Sequence, residues 1–158
     1  MRFFLLYVFF LSLPAASHAK SETAFEGENP IILIARISIK PGLVKEYLEI
    51  AEEVDKETKR LEPGMIFHNF DSDPDDALVF TWSEIYLNSE ALIFHLDAAH
   101  AQEYVKKHDQ LADGFEIEIY GNLSMEAIRS VKDLGLPFKH FKTTKVGYVR
   151  DEYFKNRN

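Results

Sequence analysis

The chain contains no cysteine, and this absence narrows both its structure and its chemistry. It can form neither a disulfide nor a thiolate metal site, and it has no thiol nucleophile. A hydrophobic core must therefore stabilise the fold unaided. The length of 158 residues is enough for one domain with such a core and too short for two.

Basic residues are also scarce. The chain has 18 Lys and Arg against 26 Asp and Glu, a formal net charge of −8. Such an acidic chain argues against nucleic acid and anionic membrane surfaces as partners. Only residues 129–158 are predominantly basic. We interpret that charge as neutralising the acidic remainder of the chain or a neighbouring subunit.

Long hydrophobic runs are limited to one, at residues 3–13, and it is too short to span a bilayer as a helix. Arg2 precedes the run, and Ser17-His18-Ala19 supplies small residues at positions −3 and −1 of a cleavage site. These features predict a signal peptide over residues 1–19 and a flexible lead-in over 20–30, with an uncleaved anchor as the alternative. We expect an exported protein, periplasmic or secreted, that does not associate with a membrane after signal cleavage.

The rest of the chain alternates between the periodicities of strands and helices. Strands are predicted over residues 31–40, 65–70, 77–87 and 115–123. Helices are predicted over residues 43–61, 89–96 and 98–112, the last two capped by Asn88 and Asp97. The order β-α-β-β-α-β predicts an α+β fold, the split βαβ unit with an antiparallel sheet. A C-terminal extension, residues 124–158, adds a helix over 124–134 and a strand between 138 and 149.

Three stretches resemble the antibiotic biosynthesis monooxygenase domain, a family of dimeric α/β barrels built on ferredoxin-like units. They are residues 34–42, the Glu62-Pro63-Gly64 turn with the acidic turn after the second strand, and above all residues 84–100. The last stretch has the family's glutamate, an aromatic residue two positions on, a helix start and two histidines five apart. The resemblance covers residues 31–123, and the extension has no counterpart in the basic unit.

The resemblance implies a homodimer, and the strand pattern supports one. A four-stranded sheet with helices on one face leaves the other face open. The first strand begins apolar on both sides, which suggests a central strand buried on both faces, and the third strand offers Phe80 and Trp82. An uncovered apolar face of this size is unusual for a monomer. We expect a twofold dimer that packs these faces together, unless the extension covers them.

The resemblance also implies a cofactor-independent monooxygenase that acts on a small aromatic or quinol-like molecule, with no metal or organic cofactor. The haem-degrading branch is disfavoured: it uses an asparagine on the first strand, which residues 31–40 lack, and a tryptophan where Tyr86 stands. The alternative is a non-catalytic module of the same fold, ligand-binding or stress-related. A third possibility is a structural domain that works through its extension.

Oxygenation without a cofactor requires a base that converts a phenol or quinol into an anion able to reduce oxygen. Histidine suits this role because its pKa lies near 6.5. His95, on the helix after the third strand, is the predicted base; a histidine bonded to a backbone carbonyl is the alternative. Glu84 and His68 complete the predicted catalytic group, and we expect Glu84 to pair with Arg36 or to orient a histidine.

Four further residues are predicted to bind substrate: Tyr86, Trp82, His100 and Phe80. The alternative is core packing for Trp82 and Phe80, and helix capping or packing for His100. No metal site is expected. His100 and His108 are separated by ~12 Å along a helix, too far to share an ion. The acidic stretch 71–76 lacks the glycine and glutamate of an EF-hand loop, and we interpret it as a solvated turn.

Overall fold

The computed structural model describes residues 30–142 and 144–150. The predicted signal peptide and almost all of the predicted lead-in, residues 1–29, lie outside the described residues. The strands are β1 (Ile31–Ile39), β2 (Met65–Ser72), β3 (Val79–Tyr86), β4 (Ala112–Tyr120) and β5 (Phe138–Phe141). The helices are α1 (Val44–Leu61), α2 (Ser89–Asp97), α3 (Ala99–Leu111) and α4 (Met125–Asp133).

The strands form one five-stranded sheet in the order β2-β3-β1-β4-β5. β1 pairs antiparallel with β3 and β4, β2 pairs antiparallel with β3, and β5 runs parallel to β4. The predicted α+β, ferredoxin-like arrangement is confirmed. The extension contributes α4 and β5, so its predicted helix and strand are both present, although β5 is much shorter than predicted.

One face of the sheet is covered by helices, and the other is open. Alternate residues of β1, beginning with Ile31 and Leu33, are buried in the core with side chains from α1, α2, α3 and α4. The intervening Ile32 is 40% exposed. The prediction that β1 is buried on both sides is therefore wrong for the single chain, because the helices cover only one face.

Phe80 and Trp82 lie on the covered face, so the prediction that they belong to an open face is also wrong. Alternation along β3 places them beside Glu84 and Tyr86, and all four side chains are buried. The apolar side chains that the open face does present come from other positions, notably Ile32 and Phe67.

The helix that carries His95 is fixed at its start by a cap. The Asn88 side chain accepts a hydrogen bond of 3.0 Å from the Ala91 backbone N–H, as predicted. Asp97 does not cap α3; it is the last residue of α2, and Ala98 holds the N-cap position without a side-chain bond. α2 and α3 are thus separated by one extended residue, which turns the second helix across the first.

The turn between α1 and β2 lies directly against α2. A Cβ placed on Gly64 would lie 2.6 Å from the Ala91 Cβ, closer than two non-bonded carbon atoms can approach. The Leu87 N–H donates a hydrogen bond of 2.8 Å to the Gly64 carbonyl. Neither partner is the end of a flexible side chain, so this contact sets the distance between α2 and the turn.

Gly64→Ala is therefore expected to lower the free energy of unfolding by about 1–3 kcal/mol, because overpacked positions force backbone shifts. Gly114→Ala is the matched control, since its added Cβ would meet Ser38 at an ordinary 3.4 Å. Urea unfolding of both variants measures the difference. Equal small losses in the two variants would contradict the close contact.

Candidate functional site

A cavity of about 60 Å³ lies between the covered face of the sheet and the helices. Its walls are mainly apolar, and its polar side chains come from four elements: His68 on β2, Glu84 on β3, His95 on α2, and Gln102 and Tyr104 on α3. The split βαβ topology brings these elements together, because β3 is inserted between β2 and β1 under α2 and α3. An apolar cavity with a few convergent polar groups is the usual form of a small-molecule site.

Glu62 holds two of the histidines, although it was not predicted as a site residue. His95 Nδ1 lies 3.0 Å from Glu62 Oε2 and 3.1 Å from Oε1, and His100 Nε2 lies 2.5 Å from Oε1. Glu62 is only 3% exposed. Its backbone is fixed as well, since its N–H donates to the Thr58 carbonyl and its own carbonyl accepts from the Met65 N–H.

The pairing of Glu62 with His95 changes the pKa of both groups. Burial alone lowers the pKa of His95, but the hydrogen bond to Glu62 and the charges of Glu84 and Glu62 outweigh it, so the pKa lies above the ordinary 6.5. Burial opposes ionisation of Glu62, yet the two histidines hold its pKa below 4.5. The carboxylate is therefore charged at neutral pH, and it strengthens His95 as a base.

His95 keeps one nitrogen available. Its Nδ1 is bonded to Glu62, and its Nε2 has no hydrogen-bond partner among the residues that the structure describes. The ring lines the cavity. A buried carboxylate on one nitrogen fixes the orientation and tautomer of the imidazole, which leaves the other nitrogen to exchange a proton with a ligand.

His68 forms a second histidine–carboxylate pair. Its Nδ1 donates to Asp55 Oδ1 at 2.9 Å, and its Nε2 lies 3.9 Å from Glu84 Oε1. The ring stacks on Trp82 with 4.1 Å between the ring centroids. The centroids of His68 and His95 are 6.4 Å apart, so both imidazoles border the same end of the cavity.

Glu84 does not pair with Arg36, and that prediction is wrong. Arg36 lies on the open face and binds Glu118 there at 3.1 Å. Glu84 instead accepts a hydrogen bond from the Tyr86 hydroxyl and faces His68. The alternative expectation, that Glu84 orients a histidine, stays a prediction, with Glu84 Oε1 lying 3.9 Å from His68 Nε2.

Three residues predicted to bind substrate lie outside the cavity wall. Burial and the charge of Glu84 raise the pKa of Tyr86 well above 10, and its hydroxyl is committed to that carboxylate. Phe80 stacks on Phe70 with 5.1 Å between centroids, and His100 stands behind Glu62. Tyr86 and His100 therefore contact the carboxylates Glu84 and Glu62, and Phe80 packs in the core. Trp82 does line the cavity, as do the three predicted catalytic residues.

A chain of hydrogen bonds supports Trp82 and Tyr104, which both line the cavity. The Trp82 Nε1–H donates to the Tyr104 hydroxyl at 2.8 Å, which lies 2.6 Å from the Tyr47 hydroxyl. The Tyr47 hydroxyl lies 2.7 Å from His108 Nδ1. Burial lowers the pKa of His108, so that ring is neutral at pH 7. These hydrogen bonds fix Trp82 and Tyr104 against the cavity, and they give each polar atom that takes part in them a partner.

Sequence reasoning missed Glu62, Asp55 and Tyr104 as members of the site. The sequence pattern places Glu62 only in a turn, and it singles out neither Asp55 nor Tyr104. A usable signal was present for Glu62, since a carboxylate before Pro-Gly at a buried helix end must find a partner. Among the described residues, no three His, Asp and Glu side chains are placed to share a metal ion. In the same part of the chain, no helix is both long and apolar enough to cross a membrane.

The structure is that of a ferredoxin-like α+β protein with a cavity between its sheet and its helices. The model of the antibiotic biosynthesis monooxygenase family matches residues 30–107, and the chain belongs to this family. An uncharacterized protein from Synechocystis sp. is 31% identical over 118 residues, which are 74% of this chain and 78% of that protein.

Solved structures share this fold. A protein from Bacteroides thetaiotaomicron, provisionally assigned as an antibiotic biosynthesis monooxygenase, is 25% identical with a TM-score of 0.53, over 56% of this chain and 85% of that chain. MupZ from Pseudomonas fluorescens is 14% identical with a TM-score of 0.62, over 77% of this chain and 96% of that chain. The likeness to MupZ shows the fold alone.

Proposed function

We propose that the protein is an exported, cofactor-independent monooxygenase that acts on a small phenol or quinol-like molecule. The observation that carries this proposal is the geometry of His95. Its Nδ1 is held by the buried Glu62, while its ring borders an apolar cavity with Nε2 unbonded. Membership of the family supports the reaction class.

In the proposed reaction, His95 Nε2 removes the proton from the substrate hydroxyl. The resulting anion transfers one electron to O₂, and the two radicals combine to form a peroxide. Protonation of the peroxide by His95 and loss of water leave a quinone that holds one atom of the oxygen molecule. The apolar wall excludes solvent from the radicals, and the Asp55–His68 pair binds the oxygen end of the substrate.

The experiment is an oxygen-consumption assay with a panel of monocyclic quinols and phenols, followed by mass spectrometry after reaction under ¹⁸O₂. Turnover should incorporate one labelled oxygen in the product and require no added metal, flavin or haem. Tight binding of panel members without oxygen consumption would instead support the second candidate, a ligand-binding module.

We also propose a homodimer through the open face of the sheet. Ile32 and Phe67 are 40% and 42% exposed there. The extension covers only the edge of this face, where Phe141 stacks on Tyr120 at 4.6 Å.

Ile32→Lys should convert a dimer into a monomer in light scattering at micromolar concentration, since it places a charge in the centre of the interface. Leu61→Lys, on exposed α1, should leave the dimer intact, and a monomeric wild type would refute the proposal.

Export gives a separate test. The apolar run and the small residues Ser17 and Ala19 predict that the mature protein starts near Lys20. N-terminal sequencing of the secreted or periplasmic protein should find that residue or one close to it. Full-length chain recovered only from the cytoplasm would contradict the proposal.

A further inference from the structure

The C-terminal extension forms one wall of the cavity. Val131 of α4 and the following Leu134 and Leu136 all line it. Val131 is 2% exposed, and the two leucines pack against the core. These residues lie beyond position 107, where the match to the family model ends. The wall is therefore a feature of this chain that the family match does not assign.

The extension is anchored at both ends of this wall. At the start of α4, Ser124 Oγ accepts from the Ala127 N–H at 3.1 Å, and the Ser124 N–H donates to Ser89 Oγ at 2.9 Å. The second bond ties the extension to α2. After the wall, β5 pairs with β4 along four residues. Because both ends are bonded to the domain, Leu134 and Leu136 are held at a fixed distance from the sheet.

The cavity is polar on one side and apolar on the other. Among the strand residues that line it, the ionisable ones are His68 on β2 and Glu84 on β3, at one end of the sheet order. The strands β1 and β4 contribute only apolar side chains, such as Leu33 and Ile117. The extension lies on this apolar side, since the Ile117 N–H donates to the carbonyl of Pro137, the residue after Leu136.

We propose that the extension selects the ligand, which is a single-ring phenol or quinol that carries a short alkyl group. The hydroxyl lies toward His95 and Glu84, and the alkyl group packs against Leu134 and Leu136. The identity of the ring rests on the proposed function. The need for an apolar substituent rests on the wall itself. A ligand without a substituent on that side would leave these leucines in contact with water or a void.

The test uses the fluorescence of Trp82, which is the only tryptophan of the chain and lines the cavity. The protein is titrated with phenol and with its 4-methyl, 4-ethyl and 4-propyl derivatives. Each added carbon should lower the dissociation constant about fourfold until the space beside the wall is filled, since a buried methylene contributes ~0.8 kcal/mol. Leu136→Ala should weaken binding of the propyl derivative about tenfold and that of phenol less than ~2-fold.

Leu61→Ala on exposed α1 is the matched control and should leave the whole series unchanged. Thermal unfolding is measured for each variant, and Leu136→Val, a smaller truncation, takes the place of Leu136→Ala if the latter is unfolded. Equal weakening of phenol and propylphenol, or no dependence on chain length, would overturn the inference. A chain-length dependence without oxygen consumption would remove the proposed function and leave the role of the extension intact.

Discussion

His95→Ala should turn over the phenol or quinol substrate about 10²–10⁴ times more slowly than the wild type, the usual contribution of a general base. The loss should appear in kcat more than in KM, because the proton is removed after the ring has entered the cavity. Oxygen consumption at saturating substrate measures the effect. The wild-type rate should rise with pH through the raised pKa of His95, and this limb should vanish in the variant.

The control must separate chemistry from folding. His140 is suitable, because it lies on β5 and donates to the Gly121 carbonyl, away from the cavity. His140→Ala should keep the wild-type rate. His108 is not suitable, because it is buried and bonded to Tyr47. Equal activity of wild type and His95→Ala, with both folded by thermal unfolding, would remove His95 from the mechanism.

The periodicity of the sequence was sufficient to predict the order of strands and helices. It did not predict which face of the sheet the helices cover. Alternation along β3 put Trp82 and Glu84 on the same face, and the structure has them there. The same pattern could not say which face the helices cover, because that depends on the handedness of the connections and not on β3 itself. Phe80 and Trp82 were therefore assigned to the wrong side of the sheet.

The register of the strands explains the error at Arg36. Leu33 stands opposite Glu84, and Arg36 stands opposite Thr81. Residues three apart on a strand point to opposite faces, so Arg36 and Glu84 cannot meet. The sequence alone does not supply this register. It was therefore equally consistent with a pairing of Glu84 with Arg36 and with a pairing of Glu84 with a histidine. The alignment of β1 with β3 in the structure excludes the pairing with Arg36.

Contacts distant in sequence were the least predictable part of the site. His95 and Glu62 are 33 residues apart and meet because the turn at Gly64 presses against α2. His68 meets Asp55 through the packing of β2 on α1. Each histidine was recognised as a candidate from its residue type and neighbours. The carboxylate that orients it could be identified only when the helices were in place.

Glu62→Gln should move the rising limb of the pH–rate profile to lower pH. The amide can still accept a hydrogen bond from His95, but it carries no charge. The pKa of His95 then falls, because burial lowers it and the remaining charge of Glu84 opposes that alone. A weaker base also transfers the proton more slowly, so the plateau rate should fall about tenfold. Steady-state rates across the pH range give both quantities.

The same substitution should change stability most in a defined pH window. Glu62 has a lowered pKa, so its contribution is present above the ordinary 4.5 and is lost as pH falls through its folded pKa. His95 has a raised pKa, so its contribution is present below 6.5 and is lost as pH rises through its folded pKa. The wild type should therefore exceed Glu62→Gln by the largest margin between about pH 4.5 and 6.5, by about 3 kcal/mol for a broken buried pair.

Glu52→Gln is the control for this window. Glu52 forms an exposed pair with Lys56, and such surface pairs contribute at most about 1 kcal/mol. Its stability difference from the wild type should stay small across the whole range, as measured by urea unfolding. A Glu62→Gln difference that is the same at pH 5.5 and pH 9 would mean that the carboxylate acts through shape or hydrogen bonding rather than charge. In that case the shift of the pH–rate profile should be absent as well, because both effects depend on the same ion pair between Glu62 and His95.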